Sequence, residues 1–537
     1  MRTISLLILC SLVVGCNETE TSQIQLEQTH SCSEFATYQE LTTNGNMELG
    51  TQGWSAMASA TLQASSDALQ GSKAMLVTDR TNTYAGAEQD VTANISTCVM
   101  VHASAYVKLA EGAGEQTLVL YAYQNDGAGA NYHLLDAITI TPDDGWTRLY
   151  GVIKPKISGN LSSWKLQIHS SATGFDFYLD KVSLLPPRWG ADPQPQESNF
   201  IRAQGRHLVV GAAANRVRLR GINLIRYSDS SGDQAVNLFN SKNFDEGVYQ
   251  ELADLGMNVA RLNLDYRLFE DDAEPYAYKA EGWGFLNDQI KYAKAAGMYL
   301  ILDLHTPQGG YQSVGNQGNS NFWPSGTANR KRLQALWEEI AQRYVDEPQI
   351  AGFDLINEPA PTHAAEWYEF AQTLITAIRK VNQRHVLIIE QPFPKTWDDT
   401  GFPDFTGENL MYDMHFYDPF TFTFQGWETD TAYTYPDSNS KWGKDRQYKW
   451  LERYLLRYGK KYNRPVNIGE WGMTTNAFSN GGDTLMAHNG ALFAKYGINA
   501  QFFAYHDPYF GVYQNKVGYP AEDSYTALKL AALEALD

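Results

Sequence analysis

The feature that most constrains this chain is an alternation of apolar runs and helical stripes over residues 198–537. One stripe begins at Leu333, with apolar residues recurring three and four positions apart, and the apolar run 350–356 follows it. A second stripe from Trp367 leads into a second run, 386–389. This order predicts β/α units whose strands pair in parallel.

Apolar runs of this kind number eight in the second part of the chain, which is the number that a closed barrel needs. They end near Leu224, Leu264, Leu304, Ile356, Glu390, His415, Gly469 and Tyr505. We therefore predict a (β/α)8 TIM barrel over residues 198–537. The segment from Phe200 to Arg220, ahead of the first strand, is typical of a hairpin that closes the N-terminal mouth of the barrel.

Residues 35–185 show a different pattern. Short runs such as 117–123 and 175–184 alternate apolar and polar residues, and turn-forming Gly, Asn and Asp residues separate them. This pattern predicts an antiparallel β-sandwich. The proline-rich stretch 186–197 that follows is expected to be a stiff linker between two domains.

The N-terminus has the features of an export signal, because Arg2 precedes a short apolar run that ends at Gly15. The sequence Val-Val-Gly-Cys at 13–16 resembles a bacterial lipobox, which implies that residues 1–15 are removed and Cys16 is acylated. Asn17 then favours the outer membrane or cell surface. An ordinary signal peptide is the alternative. Residues 16–34 are polar and are expected to be a flexible tether.

Two cysteines, Cys32 and Cys98, remain beside Cys16 after this cleavage. An exported protein meets an oxidising compartment, where these two thiols can form a disulfide. Two free buried thiols are the alternative.

The charge balance limits the kind of partner. The chain carries 42 Lys and Arg residues against 61 Asp and Glu residues, which gives a formal charge of −19. This excess of acid argues against binding nucleic acid through its phosphates. A neutral or cationic partner is expected, and we expect the protein to be a monomer.

Polar side chains follow several of the predicted strands, at the barrel face where catalytic groups cluster. Two of them, Glu358 and Glu470, are carboxylic acids at the ends of strands four and seven. Retaining glycoside hydrolysis needs two carboxyl groups about 5 to 5.5 Å apart. The other polar side chains at these strand ends are Arg261, His305, Asn357, His415 and Tyr417.

The motifs Asn357-Glu358-Pro359 and Gly469-Glu470-Trp471 resemble those of glycoside hydrolase family 5. The resemblance implies that Glu358 is the acid/base and Glu470 the nucleophile. It also implies that Arg261, His305, His415 and Tyr417 bind substrate or position the carboxylates. Asn357 is expected to bind the 2-hydroxyl of the sugar.

Each residue of the site also has a structural interpretation. An isolated Asn-Glu-Pro is usually a helix start, and each histidine could have a structural role. A metal site has less support, because His305 and His415 lack a short ligand spacing. We expect Arg261 and Tyr417 to lower the pKa of Glu470 by stabilising its anion.

The tryptophan that usually ends strand eight in this family is missing. Residues 502–507 contain Tyr505 and His506, which are the candidate replacements. Tryptophans in or near strand-to-helix loops could stack on sugar rings, with simple packing as the alternative. They are Trp323, which we favour, and Trp397, Trp427 and Trp442.

The two ends of the front domain, around Asn44 to Glu48 and Phe177 to Leu184, resemble carbohydrate-binding modules of families 4, 9 and 22. The resemblance implies a jelly-roll sandwich in which Glu48 and Asp180 hold a structural calcium. Candidate sugar-stacking residues are Tyr121, Tyr123 and Tyr132. A sandwich that only spaces the second domain from the membrane is the alternative.

Together these features predict a membrane-anchored retaining β-glycosidase that acts on a polysaccharide, with an endo-β-1,4-glucanase as the leading hypothesis. A β-mannanase or a β-1,3-glucanase is the alternative within the class. A non-catalytic glycan-binding protein is the alternative outside it. Two carboxylates and water suffice for the chemistry, so no catalytic cofactor is expected.

Overall fold

The computed structural model describes residues 40–95, 101–153, 155–185, 199–225, 244–310, 312, 321–323, 327–392, 401–427, 431–438, 441–516 and 519–535. The chain forms two compact units, Met1–Gln194 and Pro195–Asp537, and the division falls inside the predicted linker 186–197. The predicted signal peptide and tether, together with Cys16, Cys32, Cys98 and Trp397, lie outside the described residues.

The first unit is a β-sandwich, as predicted. Its strands are β1 (Ser55–Met57), β2 (Thr61–Ser65), β3 (Ala74–Thr78), β4 (Gly86–Asp90), β5 (Val101–Leu109), β6 (Gln116–Asp126), β7 (Gly129–Ile140), β8 (Thr147–Ile153), β9 (Ser163–His169) and β10 (Phe177–Leu185). One sheet has the order β1-β4-β9-β6-β7, and the other has the order β2-β3-β10-β5-β8.

Strand β6 shows how the sequence pattern produces the core of the sandwich. Leu118, Leu120 and Ala122 are fully buried, because alternate side chains of a strand point to the same face. Tyr121 and Tyr123 alternate with them and are therefore on the opposite face of the sheet. These tyrosines do not belong to the core between the two sheets.

The second unit is the predicted closed barrel of eight parallel strands. They are β14 (Arg220–Leu224), β15 (Val259–Asp265), β16 (Tyr299–Thr306), β17 (Ile350–Asp354), β18 (Val386–Glu390), β19 (Leu410–Asp413), β20 (Val466–Trp471) and β21 (Asn499–Phe502). Strands β17, β19 and β21 end two or three residues earlier than the sequence predicted, so Glu358, His415 and Tyr505 lie in the segments that follow these strands.

Helices surround the barrel strands. They are α1 (Glu246–Asp254), α2 (Ala280–Ala295), α3 (Thr327–Arg343), α4 (Ala364–Val381), α5 (Phe420–Thr423), α6 (Lys444–Leu451), α7 (Arg457–Tyr462), α8 (Thr475–Ala477), α9 (Asp483–Tyr496) and α10 (Thr526–Glu534). The apolar stripe of α4 is buried, as its spacing predicts. No helix of the described part of the chain is long and apolar enough to cross a membrane.

Three short strands precede the barrel. They are β11 (Arg202–Gln204), β12 (His207–Val210) and β13 (Asn215–Val217), and they form an antiparallel sheet. Ile201, Leu208 and Leu219 belong to one buried apolar cluster with side chains of the barrel strands, including Val259 and Ile301. The predicted plug at the N-terminal mouth is therefore present. A last hairpin, β22 (Gln514–Lys516) and β23 (Tyr519–Ala521), follows β21.

Candidate active site

The two predicted carboxylates meet at the C-terminal face of the barrel. Glu470 lies on β20, and Glu358 lies in the segment after β17. One carboxylate oxygen of each glutamate and a ring nitrogen of His415 all lie within 4.8 Å of one another. Nδ1 of His415 is 2.8 Å from Oε1 of Glu358 and 3.3 Å from Oε2 of Glu470. The two carboxyl groups are therefore close enough to act together on one glycosidic bond.

Glu470 is held through both of its oxygens. Nη1 of Arg261 donates to Oε1 at 3.1 Å, and the hydroxyl of Tyr417 donates to Oε2 at 2.8 Å. Burial and the negative charge of Glu470 raise the pKa of Tyr417 well above its ordinary value, so its hydroxyl keeps the proton that it donates. The carboxylate is thus fixed in one orientation.

The expected direction of the Glu470 pKa shift is wrong. Burial is the largest influence and raises the pKa of Glu470 above its ordinary value, although His415 and Arg261 oppose this effect. Taking a carboxylate out of water disfavours its charged form, and this cost exceeds the gain from the neighbouring cations. The sequence shows the cations at the strand ends but not the depth at which the carboxylate is buried.

His415 lies between carboxylates from three strands. Burial disfavours its imidazolium form, but Glu390 and Glu470 outweigh burial and raise the pKa of His415 well above its ordinary value. His415 is therefore a cation at neutral pH and donates through Nδ1 toward Glu358.

Arg261 is fully buried and joins several strands. Its Nη2 atom donates to Oδ1 of Asn357 at 3.0 Å and to Oε1 of Glu390 at 2.8 Å. The same atom lies 3.1 Å from Asp303 and 2.9 Å from Asp354. A buried cation with such partners orders the acidic groups around it, including the nucleophile candidate.

His305 lies at the same face of the barrel, on β16. Its Nδ1 atom is 2.8 Å from Oδ2 of Asp303 and 2.8 Å from the amide nitrogen of Asn263. Asp303 in turn lies 3.1 Å from Nη2 of Arg261, whose Nη1 atom donates to Glu470, so His305 is linked to the pair through these two residues. The structure thus brings together Glu358, Glu470, Arg261, His305, Asn357, His415 and Tyr417.

Gly469 explains how His415 comes so close to strand β20. A side chain at this position would place its Cβ 3.0 Å from the carboxylate of Asp413 and 3.1 Å from Nε2 of His415. The glycine therefore leaves room for His415, in the segment after β19, to lie beside Glu470.

The structure places the two candidate replacements for the missing tryptophan elsewhere. The hydroxyl of Tyr505 donates to Glu251 of α1 at 2.8 Å, and the ring of His506 is buried against Phe244. Phe503, which directly follows β21, is half-buried, and its ring centroid lies 6.3 Å from that of Tyr417. Phe503 is therefore the strand-eight ring that lies near the carboxylates.

The favoured tryptophan, Trp323, does not present an open ring face. It is 4% exposed and packs edge-on against Phe322, with Arg330 over its ring at 5.1 Å. Trp442 is half-buried, with Trp450 tilted against it at 5.7 Å and Arg446 over its ring at 4.5 Å. A ring that stacks on a sugar needs an exposed face, and the buried Trp323 does not offer one.

Glu390 and Asn223 are site residues that sequence reasoning missed. Oε2 of Glu390 accepts a hydrogen bond from the backbone nitrogen of Glu358 at 2.8 Å. Asn223 accepts from Arg261 and donates to the carbonyl of Gly469. Both are polar residues at the end of an apolar strand, and this signal would have revealed them.

The side chains at the pair include donor types that bind metals, since Glu358, His415 and Glu470 offer oxygen and nitrogen atoms within 4.8 Å. Arg261 and the cationic His415 already place positive charge on these oxygens, and a metal ion would have to displace it. The arrangement is suited to a carboxylate pair rather than to a metal.

In the sandwich, Glu48 and Asp180 accept hydrogen bonds from backbone nitrogens. Oδ2 of Asp180 accepts from Leu69 and Gln70 at 2.9 and 3.0 Å, and Oε1 of Glu48 accepts from Ser72 at 2.7 Å. These amides already satisfy oxygens that calcium would use as ligands. The calcium site remains a prediction.

Comparison with known proteins gives two family matches. The model described as "Cellulase (glycosyl hydrolase family 5)" matches residues 210–505, which is more than half of the chain. The model described as "Carbohydrate binding domain" matches residues 39–174.

Among individual proteins, a β-xylosidase of Phanerodontia chrysosporium is 34% identical over 173 residues, which is 31% of this chain and 36% of that protein. Endoglucanase C of Acetivibrio thermocellus is 26% identical over 193 residues, 35% of this chain and 55% of that protein. The matches therefore span between about a third and about a half of the length of these relatives.

A solved structure of Thermotoga maritima Cel5A with mannotriose is 21% identical and covers 58% of this chain and 96% of its own, with a TM-score of 0.46. The site supports the family match, because Glu470 on β20 and Glu358 in the segment after β17 lie close together, and Arg261 donates to Glu470. The chain belongs to glycoside hydrolase family 5 and carries an N-terminal carbohydrate-binding domain.

Proposed function

We propose that this glycoside hydrolase is a retaining β-glycosidase that cleaves internal β-1,4 bonds of a glucan chain. The observation that carries the retaining mechanism is the position of Glu358 and Glu470, one oxygen of each lying within 4.8 Å of one oxygen of the other. That separation leaves no room for the water molecule that an inverting enzyme places between its carboxylates.

In the first step, Oε2 or Oε1 of Glu470 attacks the anomeric carbon while Glu358 gives a proton to the departing glycosidic oxygen. We assign that proton to Oε2 of Glu358, because Oε1 already accepts from His415. In the second step, Glu358 takes a proton from water, and the resulting hydroxide attacks the anomeric carbon and releases Glu470. Arg261 and Tyr417 hold the nucleophile in line throughout.

An exposed row of aromatic rings supports a polymeric substrate. Phe420, Trp427 and Tyr509 are 49%, 49% and 45% exposed. Phe424 lies between Phe420 and Trp427, with centroids 4.0 and 5.4 Å away, and Trp427 stacks on Tyr509 at 5.4 Å. These rings stack on one another, so their exposed edges form an apolar strip along which the C–H groups of successive sugars can pack.

This row is continuous with the carboxylate pair. The ring of Phe510 lies 5.8 Å from Trp427 and 5.6 Å from Tyr417, whose hydroxyl holds Glu470. Asp507 fixes the loop that carries Tyr509 and Phe510, because its Oδ1 atom accepts from the backbone nitrogens of both residues. A chain bound at the pair would extend over this row.

We also propose that the sandwich binds the glycan. Tyr123 pairs across the sheet with Tyr132, which is 65% exposed, and with Lys165. On the neighbouring strand, Lys165 and Gln167 bond to Glu88. Rings beside fixed polar groups are the usual means of binding a sugar chain.

The choice of β-1,4-glucan is supported by the family model named for cellulases and by the relative named an endoglucanase. A relative named a β-xylosidase makes xylan a further substrate to test. Product analysis on glucans, mannans and xylans distinguishes these substrates, and oligosaccharides of several lengths from a glucan are the expected result.

Retention is tested by following the first product by NMR. The proposed mechanism releases the β-anomer, which then equilibrates with the α-anomer. Initial release of the α-anomer would contradict the proposed mechanism.

For location, we propose that Cys16 carries a lipid and anchors the enzyme to the outer membrane, facing the periplasm or the cell surface. Labelling of the expressed protein with radioactive palmitate, lost in Cys16→Ala, is expected. Equal labelling of both proteins, or none of the natural one, would contradict the anchor.

A further inference from the structure

Glu390 is a buried acid at the end of β18, which lies between β17 and β19 in the barrel. Glu358 follows β17, and His415 follows β19. Its backbone carbonyl accepts a hydrogen bond from Nε1 of Trp367 at 2.8 Å, which ties the strand end to helix α4. Its side chain points toward the active site, where its two oxygens have different partners.

Oε1 of Glu390 faces the cations of the site. It accepts from Nη2 of Arg261 at 2.8 Å and lies 3.3 Å from Nε2 of His415. Oε2 faces the acid/base candidate, because it accepts from the backbone nitrogen of Glu358 at 2.8 Å. One carboxylate thus connects the backbone of Glu358 to the guanidinium that holds Glu470.

Glu358 needs such support, since its φ angle is +41°. A residue with a side chain rarely adopts this left-handed conformation, and it persists only where the surroundings stabilise it. The conformation sets the direction in which the Glu358 side chain leaves the backbone. A bond to its amide therefore acts on the position of the acid/base carboxyl.

The need to balance the positive charge of Arg261 does not explain why a carboxylate is present at Glu390. Arg261 already contacts Asp303, Asp354 and Glu470, so a further buried carboxylate adds negative charge that costs free energy. Consistent with this cost, burial and the charge of Glu390 raise the pKa of Asp354 well above its ordinary value.

We propose that Glu390 is a positioning residue that sets the acid/base carboxyl of Glu358 through its backbone amide. This proposal rests on the proposed function, because it assumes that Glu358 is the proton donor. It implies that loss of the Glu390 contact impairs proton transfer more than nucleophilic attack.

The test uses Glu390→Gln in the full chain. Glutamine has one acceptor oxygen, and the charge of Arg261 attracts that oxygen, so the amide group is left facing the backbone N–H of Glu358. Two donors then oppose each other, and the bond to Glu358 is lost. Asp354→Asn is the matched control, because Asp354 also bonds to Arg261, whereas the backbone amide of Glu358 bonds to Glu390.

The readout is kcat/KM on two substrates, which reports the first bond-breaking step. One is 2,4-dinitrophenyl β-cellobioside, whose leaving group departs without a proton, and the other is an unactivated cello-oligosaccharide. For Glu390→Gln we expect a fall of about 10- to 100-fold on the oligosaccharide and less than about threefold on the aryl glycoside. Asp354→Asn is expected to change both values by one common factor.

A similar fall on both substrates in Glu390→Gln would overturn the proposal, and so would full activity on both. If Glu390→Gln does not fold, as judged by thermal melting, Glu390→Asp decides by the same comparison, because it keeps the charge beside Arg261 and shortens the reach to Glu358. Inactivity of the natural enzyme on both substrates would instead refute the proposed function.

Discussion

The barrel and the sandwich each contain a notable pair of acids, and the two pairs are held in different ways. Glu470 is bonded by the side chains Arg261 and Tyr417, which come from other strands. Asp180 and Glu48 are bonded mainly by backbone nitrogens of one nearby loop. Acids of the first kind depend on the closed barrel, whereas acids of the second kind stabilise a local loop.

The difference teaches how burial and partners together determine what a carboxylate does. Burial raises the pKa of both Glu470 and Asp180. At Glu470 the opposing groups include the cations His415 and Arg261, which stabilise the anion that must attack the sugar. At Asp180 the opposing groups are amides, which satisfy the carboxylate without making it reactive.

The largest expected effect is the loss of the nucleophile. Glu470→Ala should lower kcat on a soluble glucan by roughly 10³-fold or more, because no other group can form the covalent intermediate. Sodium azide should restore part of the rate on an aryl glycoside with a good leaving group and yield a glycosyl azide. Undiminished turnover would show that the barrel pair is no more catalytic than the sandwich pair.

A smaller loss is expected when only the support of the nucleophile is removed. Tyr417→Phe deletes the hydroxyl that donates to Oε2 of Glu470 at 2.8 Å and keeps the ring. A hydrogen bond to a charged group is worth about 1.5 to 3 kcal/mol, so kcat/KM should fall roughly 10- to 100-fold. Tyr412→Phe, whose hydroxyl bonds to the backbone of Pro403, is the matched control. Equal losses in both variants would mean that the bond to Glu470 has no special role.

The exposed aromatic rings of the barrel and of the sandwich can also be compared, and substituting them is expected to change activity less. Trp427→Ala should raise KM for a long glucan about two- to tenfold and leave kcat/KM on a short aryl glycoside unchanged. Tyr132→Ala in the sandwich should weaken retention on insoluble glucan without changing hydrolysis of the soluble polymer. If each variant produced the effect expected of the other, the assigned roles of the two surfaces would be reversed.

The smallest effect on activity is expected for Asp180→Asn. Burial raises the pKa of Asp180 to about 6, so the folded sandwich binds this proton more tightly than the unfolded chain does. This contribution to stability is present at low pH and is lost as pH rises from about 4 to about 6.

Hydrogen exchange of β10 amides in the full chain measures this effect. Protection in the natural protein should decline over that pH window, relative to Asp180→Asn, after correction for intrinsic exchange rates. Hydrolysis of soluble glucan should be the same in both proteins. An identical pH dependence of protection would contradict the assignment.

Much of the barrel follows from the sequence, because its strands are apolar runs and its helices carry clear stripes. The site residues followed as well, since Arg261, His305, His415 and Tyr417 are polar residues placed where such strands end. The sandwich was predictable from the alternation of apolar and polar residues along its strands. The same alternation places Leu120 in the core and Tyr121 on the opposite face of the sheet.

What the sequence did not predict depends on three-dimensional position. Trp323 lies in a loop where the sequence predicts an open aromatic ring, but in the structure Phe322 and Arg330 cover this ring. Tyr505 lies three residues beyond the end of β21, where its hydroxyl is directed to Glu251 instead of the site. The shift of the Glu470 pKa depends on burial, which only the closed barrel defines.

The most direct test of the carboxylate pair is covalent trapping. A 2-deoxy-2-fluoro cellobioside with a good leaving group should inactivate the enzyme, and mass spectrometry of the digested protein should find the sugar on Glu470. A label on another residue, or turnover that proceeds by a single displacement without any label, would contradict the account.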